Sequence, residues 1–147
     1  MKPAALFSAL AFTLATTVSA APADTTAIEN HLFKRSDLCG TSSFHDETSS
    51  GSASVSDCNK IVRDMENEAG NFLIGPVRDE LYSAGNCRFM VYAKRGAMGS
   101  DDVADLIRDS ISKFAKNGKV GARGSVTCKG VAEWSDQSKV DWWIWKK

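Results

Sequence analysis

The sequence predicts a small α+β domain, two helices packed on a four- or five-stranded, mainly antiparallel sheet and stabilised by disulfides. Three observations predict it. Two stretches repeat apolar residues with helical period, around Cys58–Ala69 and Val103–Phe114. Several others alternate with period two, most clearly "CRFMVYA" from Cys87. Four cysteines stand in the later part of a 147-residue chain that opens with an export-type leader.

The leader comes first. Lys2 is the only charge before Asp24, Ala4 to Thr17 are apolar, and Val18-Ser19-Ala20 has the small-x-small form of a signal-peptidase site. The run is short of the roughly 20 residues that span a bilayer, so residues 1–20 read as a cleaved signal peptide. Residues 21–35 read as a propeptide, because Lys34-Arg35 is a dibasic site of the kind cut late in secretion. A mature domain of residues 36–147 follows, secreted and extracellular. Removing 35 residues from 147 leaves 112, a length that suits one domain. The mature part carries 15 Lys/Arg against 16 Asp/Glu. A net charge of −1 excludes nucleic acid as a partner, and the chain is expected to be a monomer.

Cys39-Gly40 reads as a short strand or turn, followed by a Ser- and acid-rich loop to Ser56. The first helix has a capping box at Ser54 and Asp57, a stripe of Cys58, Ile61, Val62, Met65 and Ala69, and a stop at Gly70. Phe72-Leu73-Ile74 is a short apolar run before a Gly75-Pro76 turn. In the strand at 87–93, Cys87, Phe89, Val91 and Ala93 share one face and Arg88, Met90 and Tyr92 the other. Lys94 to Gly99 read as a turn. Ser100 is the expected N-cap of the second helix, Asp101 and Asp102 suit its positive first turn, and Val103, Leu106, Ile107, Ile111 and Phe114 form its stripe. Asn117-Gly118 is the expected end.

In "KVGARGSVTCKG", Val120, Ala122, Val126 and Cys128 alternate with Lys119, Arg123, Thr127 and Lys129. Gly121 and Gly124 suggest a bulge or close backbone approach there. Strands around Val131–Trp134 and Val140–Trp145 complete the sheet. Of three possible disulfide connectivities, Cys58–Cys87 with Cys39–Cys128 is preferred, because Cys58 begins a helix on its buried face.

The pieces "CGTSSF", "SVSDCNKIV", "LYSAGNCRFMV", "DLIRDSISKF" and "KVGARGSVTC" together resemble a fungal family. It is the necrosis-inducing effector family named after extracellular protein two of a leaf-mould pathogen. The resemblance keeps all four cysteines in order; Phe72 stands where the family usually has tryptophan. It implies a secreted virulence protein that provokes plant cell death or is detected by resistant plants, with a killer-toxin-like α+β fold. It implies no catalytic residue and no cofactor. The partner would be a host plant protein, membrane or cell-wall component.

The residues themselves offer little chemistry. His45, beside Asp46 and Glu47, could serve a ribonuclease-like hydrolase, but it sits in a polar loop without a second catalytic group. The Asp101, Asp102, Asp105 and Asp109 face lacks calcium-loop spacing, so no metal is expected. The C-terminal tryptophans are more telling. Val140, Trp142 and Ile144 fall on one face of the last strand, and Asp141, Trp143 and Trp145 on the other. Trp143 and Trp145 are therefore either a binding surface or covered by Arg123 and other long side chains. The expected function is a non-enzymatic effector that binds a host target. A killer-toxin-like antimicrobial aimed at competing microbes is the alternative, and a small secreted hydrolase a remote one.

Overall fold

The computed structural model describes residues 36–129 and 137–147. The signal peptide, the propeptide with Lys34-Arg35, and the strand expected at Val131–Trp134 lie outside the described residues. Described strands are β1 (Cys39–Ser42), β2 (His45–Asp46), β3 (Ala53–Ser54), β4 (Asn71–Ile74), β5 (Asp79–Ala84) and β6 (Cys87–Tyr92). After them come β7 (Gly96–Gly99), β8 (Lys119–Val120), β9 (Ala122–Cys128) and β10 (Ser138–Lys146). Helix α1 (Val55–Asn67) precedes β4, and α2 (Ser100–Phe114) precedes β8.

The main sheet runs β1-β9-β10-β6-β5, with β2 also on β9, and every pairing is antiparallel. Two short ladders, β3–β8 and β4–β7, flank it. The predicted class is therefore the one observed, with more strands than expected because several are only two to four residues long. Alternation places Cys87, Phe89, Val91, Ala122, Val126, Cys128, Val140, Trp142 and Ile144 inside, each at 3% exposure or less. Cys58, Ile61 and Met65 of α1 and Val103 and Ile107 of α2 close the other side of this core. Burial switches residue by residue along β6 and β10, so the described helices cover one face of the sheet and leave the other.

Trp142 fills the centre. Its ring stacks 6.1 Å from Phe89 and meets Phe44 edge-on at 5.3 Å, while its Nε1 donates to Ser42 Oγ at 2.9 Å. Gly124 lies against it: a Cβ there would overlap the Ser43 carbonyl oxygen and stand 2.7 Å from Trp142 Cζ2. Close approach, rather than a bulge, is why glycine occupies that strand position.

Two disulfides pin the ends of the layers. Cys39–Cys128 joins the paired strands β1 and β9, and Cys58–Cys87 joins the first turn of α1 to β6. Next to the second bond, Ser54 Oγ caps Asp57 N at 3.2 Å and Asp57 Oδ2 accepts Asn86 N at 3.0 Å. The tight β5–β6 turn at Gly85 and Asn86 is thus fastened to the helix start. Gly85 has φ +55°, and a Cβ would strike the Asp57 carboxylate, so only glycine suits it.

Four local expectations are corrected. Helix α1 ends at Asn67, not at Ala69, which is exposed. The supposed turn at Lys94–Gly99 contains β7, whose Ala97 and Met98 are fully buried by pairing with β4. The cap of α2 is Gly99, and Ser100 is already helical. Asp102 Oδ2 accepts Gly99 N at 2.8 Å and Leu38 N at 3.0 Å, and Oδ1 accepts Cys39 N at 3.1 Å. Finally, α2 stops at Phe114, and Asn117 (φ 51°) and Gly118 (φ 72°) form the left-handed turn that leads into β8.

Candidate functional site

The uncovered face of the main sheet is the candidate binding surface. Cross-strand partners share a face, so the ladders say which side chains meet there. On β10, Asp141, Trp143 and Trp145 lie opposite Tyr92, Met90 and Arg88 of β6. On the other flank, Lys139, Asp141 and Trp143 lie opposite Thr127, Ser125 and Arg123 of β9. Arg123 in turn pairs with His45 of β2. One strip thus carries two indoles, a phenol ring, a thioether and several charges.

The tryptophans are half-buried, and a residue that sequence reasoning missed is responsible. Arg78, in the segment before β5, stacks its guanidinium 3.9 Å from the centre of the Trp143 ring and 5.4 Å from that of Trp145. Trp143 and Trp145 are themselves 6.2 Å apart and tilted by 46°. Arg88 approaches Trp145 at 6.0 Å. Arg123, the expected cover, donates its Nε to Glu47 Oε1 at 2.5 Å. Nothing local in the sequence marks Arg78, because only the fold brings it across β6 to β10.

Beside Trp143 the face dips into an open groove of about 270 Å³ between β2, β9 and β10. Ser43, Ser125, Arg123, Lys139, Asp141 and Trp143 border it, with His45 at its rim. Its charges are paired, Arg123 with Glu47 and Lys139 with Asp141 at 3.3 Å. A larger groove of about 450 Å³ lies between α2 and β1, on Phe44, Leu106 and Val126.

His45 lines the groove with Arg123, Ser125 and Asp141. The neighbouring Asp46 is held by Lys116 Nζ at 2.8 Å and by the Thr48 backbone amide, contacts that lower its pKa to about 2. Three of the four acidic residues of α2 are also engaged, whereas Asp101 Oδ2 is buried without a hydrogen-bond partner among the described residues. Asp102 holds three backbone amides, Asp105 pairs with Arg108, and Asp109 pairs with Lys113. Burial raises the Asp102 pKa despite those donors. Among the described residues, no group of three or more His, Cys, Asp or Glu could hold a metal ion. No described helix is long and apolar enough to cross a membrane.

These features define a small, disulfide-bonded α+β domain whose main sheet carries an aromatic face that no described helix covers. Residues 38–128 match the Hce2 family of pathogen effectors, more than half of the chain, and the protein belongs to that family. A protein named "Probable chitinase LysM18" from Penicillium expansum is 31% identical over 114 residues, 73% of this chain. Those residues make up 8% of that relative, so the chain spans a small part of it.

Proposed function

We propose that the protein is an extracellular effector that works by binding, without turnover, a component of a host plant surface and thereby triggers cell death. Its export signal and the Lys34-Arg35 site release the domain, which acts as a monomer without cofactor or nucleic acid. The observation that carries this reading is the Trp143–Trp145 pair, held in place by Arg78 on a sheet face that no described helix covers. Aromatic side chains fixed at a surface give large contact area at little ordering cost. Membership of a pathogen-effector family whose description includes necrosis induction supports the outcome. The chitinase name of the distant relative does not favour catalysis here, because the shared segment is so small a share of that protein.

The test is leaf infiltration. Protein purified from the medium of cells expressing the full chain should cause necrosis, and reduction with alkylation should abolish it. The Trp143→Ala/Trp145→Ala variant should be folded and inactive. Undiminished necrosis from that double variant would refute the reading. Absence of necrosis in every plant, with growth inhibition of competing fungi, would turn it to the antimicrobial alternative.

A further inference from the structure

We infer that the groove beside Trp143 is a subsite for one ring of a neutral pyranose glycan, an inference that rests on the outer face being the binding surface. Three features of the groove point to that chemistry. It presents hydrogen-bonding groups of both kinds: Arg123 and Lys139 donate, Asp141 accepts, and the Ser43 and Ser125 hydroxyls do either. A sugar hydroxyl is itself both donor and acceptor, so vicinal hydroxyls suit such an alternating floor. Trp143 lines the groove, and the C–H face of a pyranose packs on the part of its indole that the stacked Arg78 leaves uncovered.

The electrostatics separate this ligand from others. Arg123 is neutralised by Glu47 and Lys139 by Asp141, so the groove offers no surplus cation to a polyanion. It is also interrupted by charge throughout, which suits no acyl chain, and the most exposed large apolar side chains, Leu73 and Val77, are not among its lining residues. At about 270 Å³ it falls below the roughly 300 Å³ where sites for drug-sized ligands begin, room for a single ring with the neighbouring sugars left outside.

Preorganisation is visible in the same contacts. Arg78 fixes Trp143 before any ligand arrives, and the Ser43 Oγ accepts Ser125 N at 3.0 Å, which locks the edge of β9 to the loop ahead of β2. The indole and the serine pair therefore need little ordering on binding, the condition under which a small contact still gives measurable affinity.

The test is isothermal titration of the protein, purified as above, with three hexasaccharides: β-1,4-linked N-acetylglucosamine, β-1,3-linked glucose and α-1,4-linked galacturonate. At least one neutral hexamer should bind one-to-one, with affinity unchanged when salt is raised from about 0.05 to about 0.5 M. Trp143→Ala and Asp141→Asn should each weaken it at least about tenfold, roughly 1.4 kcal/mol, in variants that retain their melting transition. Failure of both neutral hexamers, a preference for galacturonate that collapses with salt, or full affinity in Trp143→Ala would overturn the inference. The effector reading fails separately. It fails if the neutral hexamer binds as expected yet the Trp143/Trp145 variant still causes necrosis, and it survives if necrosis needs those residues and no glycan binds.

Discussion

Trp142 and Trp143 are neighbours in the chain and opposites in the fold, and replacing each with alanine tests the face assignment directly. Trp142 is fully buried, whereas Trp143 is half-buried. A buried indole removes about 150–250 Å² from water, which at about 25 cal/mol per Å² is about 4–6 kcal/mol. Loss of the Nε1–Ser42 bond adds about 1 kcal/mol, and partial collapse of the site recovers some of it. The expected cost of Trp142→Ala is therefore about 5 kcal/mol. Trp143→Ala gives up roughly half the area, part of which Arg78 can recover by settling on Trp145, so about 1–2 kcal/mol is expected. Urea unfolding followed by far-ultraviolet circular dichroism separates these. With a slope near 2 kcal/mol per M, the midpoint should fall by about 2.5 M in the first variant and by less than about 1 M in the second. Equal shifts, or the larger shift in Trp143→Ala, would refute the account of which face is inside.

Other consequences can be checked with the same instruments. Gly124→Ala should destabilise the domain by about 1–3 kcal/mol, because its methyl group meets a backbone carbonyl and an immobile indole; an unchanged urea midpoint would contradict that. Removing Cys39–Cys128, which closes 89 residues, should cost about 4.6 kcal/mol, and removing Cys58–Cys87, which closes 29, about 3.6 kcal/mol, by restored entropy of the unfolded chain. Removing both, about 8 kcal/mol together, takes a large share of the about 5–15 kcal/mol a domain has in total, and circular dichroism should show a lower urea midpoint than either single loss. The Asp57 pKa is lowered to about 2, chiefly by Lys60 and then by the Asn86 amide. A folded value below the unfolded one of 3.8 means stability present above about pH 4 and lost as the pH falls through 2. The difference in stability between wild type and Asp57→Asn should shrink over that interval, and a difference independent of pH would contradict the linkage.

What the sequence revealed depended on range. The alternation of Cys87, Phe89, Val91 and Ala93 is set by neighbours two residues apart, so the buried face of β6 could be read directly. The same parity separated Trp142 from Trp143 and Trp145, and the capping of α1 by Ser54 was equally local. Gly96 and Gly99 misled, because glycine at both ends of Ala97-Met98 is the signature of a turn, and only pairing with distant β4 makes a buried strand of it. Gly99, not Ser100, caps α2 because Asp102 reaches back to its amide while also holding Leu38 and Cys39 from the other end of the domain. The binding face was half legible. Its tryptophans announce themselves, but Arg78 arrives from the segment before β5, and Ser43 and His45 from 82 and 78 residues earlier than their β9 partners Ser125 and Arg123. Those relations belong to register between strands, on which local periodicity is silent.

The order of strands also has a consequence for how the molecule is made. β10 stands between β9 and β6, yet it is synthesised after both. Until it emerges, the two halves of the sheet have no common member. On one side stands the β5–β6 hairpin with α1, able to close Cys58–Cys87 early. On the other, β1 and β9 must wait for one another across most of the chain. Completion of the main sheet accordingly waits for β10, and a chain truncated ahead of Ser138 would lose the strand that makes one sheet out of two.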